Sequence, residues 1–229
     1  MIKLIRILTC LMILVSPTLA NADPNSIYID QIGDNSTITL TQTGNKNAIG
    51  TELRPFTLQG NAQTVTVKQT GVNNKVDGKI ENANGVNVNV NNTGDSNQIT
   101  FDYGSAASIA ESSLTLAIIG SLNTVSLTQG DTASSTNATQ EITITGDQNE
   151  YTSIINANDV TNTFDLTGDS NTISMLQEGY DGKNVSAVLT GSNNNLTINQ
   201  TSTLNADSLT INSNSNSSNF VINQCNSGC

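Results

Sequence analysis

The chain has 229 residues, of which 12% are charged and 3% aromatic, with no Trp, no His and a formal net charge of −11. A sequence so poor in bulky side chains can bury a narrow core repeated many times, but not one thick core. Lack of His removes the commonest general base and metal ligand, which argues against most enzyme classes, and the acidic balance argues against nucleic acid or anionic lipid as a partner.

Residues 1–22 read as a secretory signal. Lys3 and Arg6 form a positive start, Ile7 to Val15 an apolar stretch interrupted by Thr9, and Pro17 a helix break. Ala20-Asn21-Ala22 offers a small-x-small cleavage site, with cleavage after Ala20 the alternative. The stretch is too short for a stable membrane span and no second one follows, so no integral membrane segment is expected once it is removed. Cys10 lies inside it and is expected to leave with it.

Residues 23–229 read as one repetitive domain. Nine times a glycine is followed three residues later by a small carboxamide or hydroxyl: Gly33/Ser36, Gly44/Asn47, Gly60/Gln63, Gly71/Asn74, Gly94/Asn97, Gly120/Asn123, Gly146/Asn149, Gly168/Asn171 and Gly191/Asn194. Four residues before each glycine stand apolar side chains, from Ile29 and Leu40 to Phe164 and Ala187. Five after it stand Ile38, Ile49, Val65, Val76, Ile99, Val125, Tyr151, Ile173 and Leu196, and the residue that follows each of these is never apolar. This is strand–turn–strand with one buried face, and it predicts an all-β β-solenoid. The later glycines are spaced by 22–26 residues, so a full unit holds two strands and two turns, and the early 11-residue spacing shows the half unit.

The second turn of each unit is expected at Glu52–Pro55, Gly104–Ser108, Gly130–Thr136, Ala157–Val160 and Glu178–Gly182, variable in length along one edge. Stacked at about 4.7–4.9 Å per layer, roughly eight layers make a rod on the order of 40 Å long. Each glycine is expected to take a positive-φ corner, and each Asn three residues on to join a ladder bonded from layer to layer. A last unit without glycine follows, with Leu209 and Ile211 before the turn and Phe220, Ile222 and Gln224 after it. Cys225 and Cys229 close the chain. A small disulfide loop between them is the default in an oxidising compartment, and pairing between chains is the alternative.

Aligned in this way the units resemble curlin repeats, the building blocks of curli-type bacterial functional amyloids. The family pattern places Ser, then Gln six residues on, Gly two further and Asn three further, with a small apolar residue next but one. Ser36, Gln42, Gly44 and Asn47 follow it, with Ile49 at the place where the family usually has Ala, and Gln69, Gly71, Asn74 and Val76 follow it with Gln63 in place of Ser. Gln31 precedes Gly33 in the same manner, and the later Gln of the pattern appears as Gln129, Gln177 and Gln200. Elsewhere the Gln before the glycine becomes Leu58, Asn92, Ile118, Ile144, Leu166 or Leu189, which confines that glutamine ladder to the early layers. The Gly-rich leader of major curlin subunits is missing, and only Asp23–Ser26 precede the first repeat.

The resemblance implies a secreted structural subunit that joins end to end into extracellular fibres for adhesion or biofilm matrix. It also implies export through the periplasm of a Gram-negative-type bacterium, with curli-type export and nucleation proteins as partners. No cofactor and no enzymatic activity are expected. The other reading is a monomeric solenoid that binds ice, glycan or a partner through one flat face, as a surface adhesin or virion appendage would. Thr37/Thr39/Thr41, Thr64/Thr66 and Thr143/Thr145 would supply such a face, but Lys68, Asn89, Asn91, Asp165 and Val188 interrupt its rows. Asp34, Asp95, Asp147 and Asp169 follow corner glycines. They read as gatekeepers against uncontrolled edge pairing rather than as calcium ligands, because the short Gly-Asp nonapeptides of calcium-binding rolls are absent.

Overall fold

The computed structural model describes residues 12–14 and 25–225, except 45, 52–55, 72, 82–83, 95, 104–108, 121, 131–134, 147, 179–181 and 202–207. Among the described residues every regular element is a strand. The first of two parallel sheets runs Thr37–Thr43, Thr64–Thr70, Asn87–Thr93, Ser113–Ile119, Thr139–Thr145, Val160–Thr167, Lys183–Thr190, Ser208–Asn214, with Met12–Leu14 paired on the outer edge of Thr37–Thr43. The second runs Asp30–Ile32, Phe56–Gln59, Lys75–Glu81, Gln98–Tyr103, Thr124–Gln129, Glu150–Asn158, Thr172–Glu178, Asn195–Thr201, Asn219–Cys225. The chain alternates between these strands of the two sheets, so each bonds to the strand one coil before or after it, and the short strands Ile109–Ala110 and Ser135–Thr136 pair separately with each other and with the end of Glu150–Asn158. This is a β-solenoid, as the sequence predicts.

Parallel sheets covered by helices are apolar on both faces, but here each strand alternates, as in the buried-exposed pattern of Thr37–Thr43. Register keeps equivalent side chains in columns. Leu40, Val67, Val90, Leu116, Ile142, Phe164, Ala187 and Ile211 stack along the first sheet. Val76, Ile99, Val125, Tyr151, Ile173, Leu196 and Phe220 stack along the second. Nearly all belong to one continuous apolar cluster. Burying an aliphatic or Phe side chain contributes about 1.5–3 kcal/mol, so the stack is held by many equal increments rather than by one centre.

Where large side chains meet, a small one makes room. Phe56, Gly78 and Phe101 lie in one column, and a Cβ on Gly78 would overlap the Phe101 ring. Tyr103 is 2% exposed and its hydroxyl has no partner, and burial alone pushes its phenol pKa well above the usual value. Tyr103→Phe removes a buried unpaired hydroxyl and keeps the ring, so thermal unfolding should show stabilisation of about 1 kcal/mol.

On the second edge the turns expected at Ala157–Val160 and Glu178–Gly182 fall between strands, but the coil before Gly60 differs from the expectation. Glu52–Pro55, expected as a turn, lie outside the described residues. The Ile49 N–H bonds Lys75 O at 3.2 Å while Phe56 pairs with Gly78, so the chain leaves the second sheet after Gly50 and rejoins it at Phe56. The turn of that coil is Gly60–Gln63, and Gly33 and Gly60 therefore stack on the edge opposite the other corner glycines. The Gly33 N–H donates to Gln59 O at 2.9 Å, and the Asn35 N–H to Asn61 O at 2.8 Å. Further along that edge the turns are regular, not merely variable. Ala62, Gly85, Glu111, Asn137 and Asp159 share a left-handed φ of 52–65°. The Ala62 N–H bonds Asn84 O, the Gly85 N–H Ala110 O, and the Glu111 N–H Thr136 O. Most of these residues are not glycine, which hid the repeat.

Candidate assembly surfaces and the ladders behind them

The corner glycines at Gly44, Gly71, Gly94, Gly120, Gly146, Gly168 and Gly191 stack in one column, each N–H donating to the residue before the next corner. Most have the expected positive φ, but Gly94 and Gly120 do not. What they share is close approach between layers. A Cβ on Gly120 would fall on the carbonyl oxygen of Gly94, and one on Gly71 on that of Gly44, far inside the 3.0 Å that real Cβ atoms keep. The left-handed residue of these corners lies two positions on, at Asn73, Leu122, Gln148, Ser170 and Asn193.

One residue beyond that, Asn47, Asn74, Asn97, Asn123, Asn149, Asn171 and Asn194 are all buried to 2% exposure or less. They form a ladder whose polarity reverses. Asn97 Nδ2 donates to Asn74 Oδ1 at 2.9 Å and Asn74 Nδ2 to Asn47 Oδ1 at 2.6 Å. Asn123 Nδ2 instead donates forward to Asn149 Oδ1 and Asn149 Nδ2 to Asn171 Oδ1, both at 2.7 Å. At the reversal Asn97 Oδ1 and Asn123 Oδ1 have no donor, and at the two ends Asn47 Nδ2 and Asn194 Nδ2 have no acceptor.

The glutamine ladder is short. Gln69 Nε2 donates to Gln42 Oε1 at 2.8 Å and Asn92 Nδ2 to Gln69 Oε1 at 2.9 Å. Ile118, Ile144, Leu166 and Leu189 then continue the column as apolar core. Gln31 is half-buried and bonds Ser36 Oγ at 3.0 Å. On the second sheet Gln177 Nε2 reaches Gln200 Oε1 at 3.3 Å.

Two buried amides escaped the sequence reading. Gln140 donates across the core to Gln129, and Asn162 Nδ2 to Gln177 Oε1 at 2.9 Å. Their signal was a polar residue at a buried-parity position, where the column otherwise carries Leu114 and Val185. Cys225 pairs with Thr201 at the end of the last strand, and Cys229 lies outside the described residues.

The aspartates after the corner glycines bond to backbone. Asp34 Oδ1 accepts the Asn61 N–H at 2.8 Å and Asp169 Oδ1 the Ser192 N–H at 2.7 Å, each in the following coil. Asp95 and Asp147 lie outside the described residues.

The outer faces differ in charge. In the first sheet only Lys68, Glu141 and Asp165 interrupt outward rows of Thr, Ser, Asn and a few apolar residues. The second sheet carries the ion pairs Lys75–Asp77 at 2.8 Å and Lys79–Glu81 at 2.5 Å. The Glu81 carboxylate raises the pKa of Lys79. Among the described residues no three His, Cys, Asp or Glu side chains gather as a metal site.

The last coil is the least covered. Phe220, Val221 and Ile222 are 39–42% exposed, and Leu209 and Ile211 are only partly buried against the core. Among the described residues the core columns thus run out to an open cross-section, with one strand edge of Ser208–Asn214 and of Asn219–Cys225 lacking a neighbour in either sheet.

The curlin associated repeat matches residues 21–44, which span the strand Asp30–Ile32, the Gly33 corner and the strand Thr37–Thr43. No curated protein and no solved structure matches the chain.

Proposed function

This chain carries a curlin associated repeat and continues its strand–corner–strand form to Cys225, and from that premise we propose a secreted structural subunit that joins end to end into extracellular amyloid-type fibres. The observation that carries the reading is the open cross-section at Ser208–Cys225. Unpaired strand edges beside exposed Leu, Ile and Phe columns are a template for another copy, and the described residues place no bulky cap over them. The buried, unpartnered Asn47 Nδ2 at the other end of the stack supports the same reading, since an added layer would give it an acceptor. Adhesion or biofilm matrix is the role such fibres serve. Curli-type export and nucleation proteins are the partners the reading entails.

The test is self-seeding. Purified residues 23–229 should bind thioflavin after a lag that sheared fibres abolish, and a chain that stays monomeric for days with seeds present contradicts the reading. The corner aspartates should set the length of that lag. Asp169→Asn keeps an acceptor for the Ser192 N–H and removes one negative charge from a chain whose formal charge is −11. Combined with Asp147→Asn it should shorten the lag at low salt. The difference should vanish near 1 M salt, where the Debye length is about 3 Å. An unchanged lag at low salt would show that these aspartates do not restrain assembly.

A further inference from the structure

The chain enters the stack through the second sheet, at Asp30–Ile32, and leaves it through the same sheet, at Asn219–Cys225. From Thr37–Thr43 to Ser208–Asn214 the first sheet has eight strands, against nine along the main path of the second, with the short strands Ile109–Ala110 and Ser135–Thr136 lying off that path. Identical copies that continue both sheets need equal numbers, because every strand takes one step of about 4.7–4.9 Å. If a following copy set Asp30–Ile32 on Asn219–Cys225, its Thr37–Thr43 would stand two steps from Ser208–Asn214. The slot between them would leave backbone N–H and C=O groups unpaired beside Leu209, Ile211, Ile38 and Leu40. In the full chain Met12–Leu14 pairs in parallel with Thr39–Thr41 and brings the first sheet to nine. Removal of residues 1–22 takes that strand away.

One terminal strand of the second sheet must therefore leave when copies join, and the two are not held equally. Asn219–Cys225 is in register with Asn195–Thr201 along seven positions. Asp30–Ile32 is in register with Thr57–Gln59 along three, extended by bonds from the Ile27 N–H to Ala48 O at 3.1 Å and from the Ala48 N–H to Asn25 O at 2.9 Å. The excursion after Gly50 separates those two contacts. Ile27 and Ile29 are only partly buried, and Ile32 is 70% exposed.

Resting on the fibre reading above, we propose that Asn25–Ile32 is a removable cap on the N-terminal end of the stack. It is released at the Gly33 corner, and a second copy of this chain takes its place. In that join the columns continue: Leu209 meets Ile38, Ile211 meets Leu40, Phe220 meets Ile49 and Ile222 meets Phe56. Asn47 Nδ2 comes opposite Ser218, which holds the equivalent place in the last corner.

Two disulfide staples test this in a background with Cys225 and Cys229 replaced by Ser. Asp30→Cys with Thr57→Cys joins outward register partners and locks the cap. Thr197→Cys with Val221→Cys does the same for the last strand. Directly opposed strand positions suit a disulfide. With the first staple oxidised, seeded thioflavin growth should stop and return on reduction, while the second staple should leave growth at the parental rate. Growth of the oxidised first staple at the parental rate overturns the cap, whether or not the second staple blocks.

A parent that never grows counts against the fibre reading instead. Hydrogen exchange on the monomer then judges the cap by itself. Amides of Asp30–Ile32 should exchange at least about tenfold faster than those of Asn219–Cys225, since segments with fewer paired groups open more readily. The reverse order overturns the cap.

Discussion

Gly120→Ala should cost about 3 kcal/mol or more, although alanine adds a single methyl group. The added Cβ falls on the carbonyl oxygen of Gly94 in the preceding coil, and the Asn97 side chain stands beside it. Neither neighbour is a flexible side-chain end that can move away cheaply. The corner must widen, and widening it pulls the Gly120 N–H from Thr145 O, which it meets at 3.0 Å. Because each coil is held by its two neighbours, the damage should be shared between the coils on either side and should lower the urea midpoint of the whole stack. Gly182, which a Cβ would leave in open space, is the control and should tolerate alanine. Equal midpoints for the two variants would remove the close-approach explanation for the corner glycines.

Asn149→Ala should also be severe, at about 3 kcal/mol, and more severe than Asn47→Ala. Asn149 accepts from Asn123, donates to Asn171 Oδ1 and closes its own corner on Gly146 O. Truncation strands the inner Asn123 amide proton and leaves a void at 1% exposure. Each buried group left without a partner costs about 1–3 kcal/mol. Asn47 has one ladder partner, Asn74, and its own Nδ2 is already unpaired, so about 1 kcal/mol is expected there. Urea unfolding of both variants checks the order, and an Asn47 variant as unstable as the Asn149 variant would refute a ladder whose strength lies in its interior.

The buried columns were legible in the sequence because period-two alternation and a fixed Gly-to-Asn spacing leave no freedom in register. Val65, Val88 and Leu114 can stack only one way once the corners are aligned. The second edge was legible only in part: the turns at Ala157–Val160 and Glu178–Gly182 lie between strands as expected, but the regular corner along that edge was hidden. Apart from Gly85 its left-handed residues include Ala62, Glu111, Asn137 and Asp159, and a single left-handed residue in a turn can be something other than glycine when the layers above and below hold it. The split strand around Gly50 and Phe56 was hidden for a similar reason: Pro55 reads as a turn signal and says nothing of where the chain rejoins the sheet. The ladder was visible as a row of Asn, but its reversal between Asn97 and Asn123 was not, because a carboxamide can donate or accept on either side. Gln140 and Asn162 follow the same logic, since only the facing strand shows that Gln129 and Gln177 lie within reach.

The central claim is that copies of this chain continue its two parallel sheets, and fibre diffraction from aligned residues 23–229 tests it most directly. The account predicts a meridional reflection at about 4.7–4.8 Å from strands stacked along the fibre and an equatorial one near 10 Å from the two sheets. Aligned material without the meridional reflection, or a chain that yields no fibres to align, would contradict it.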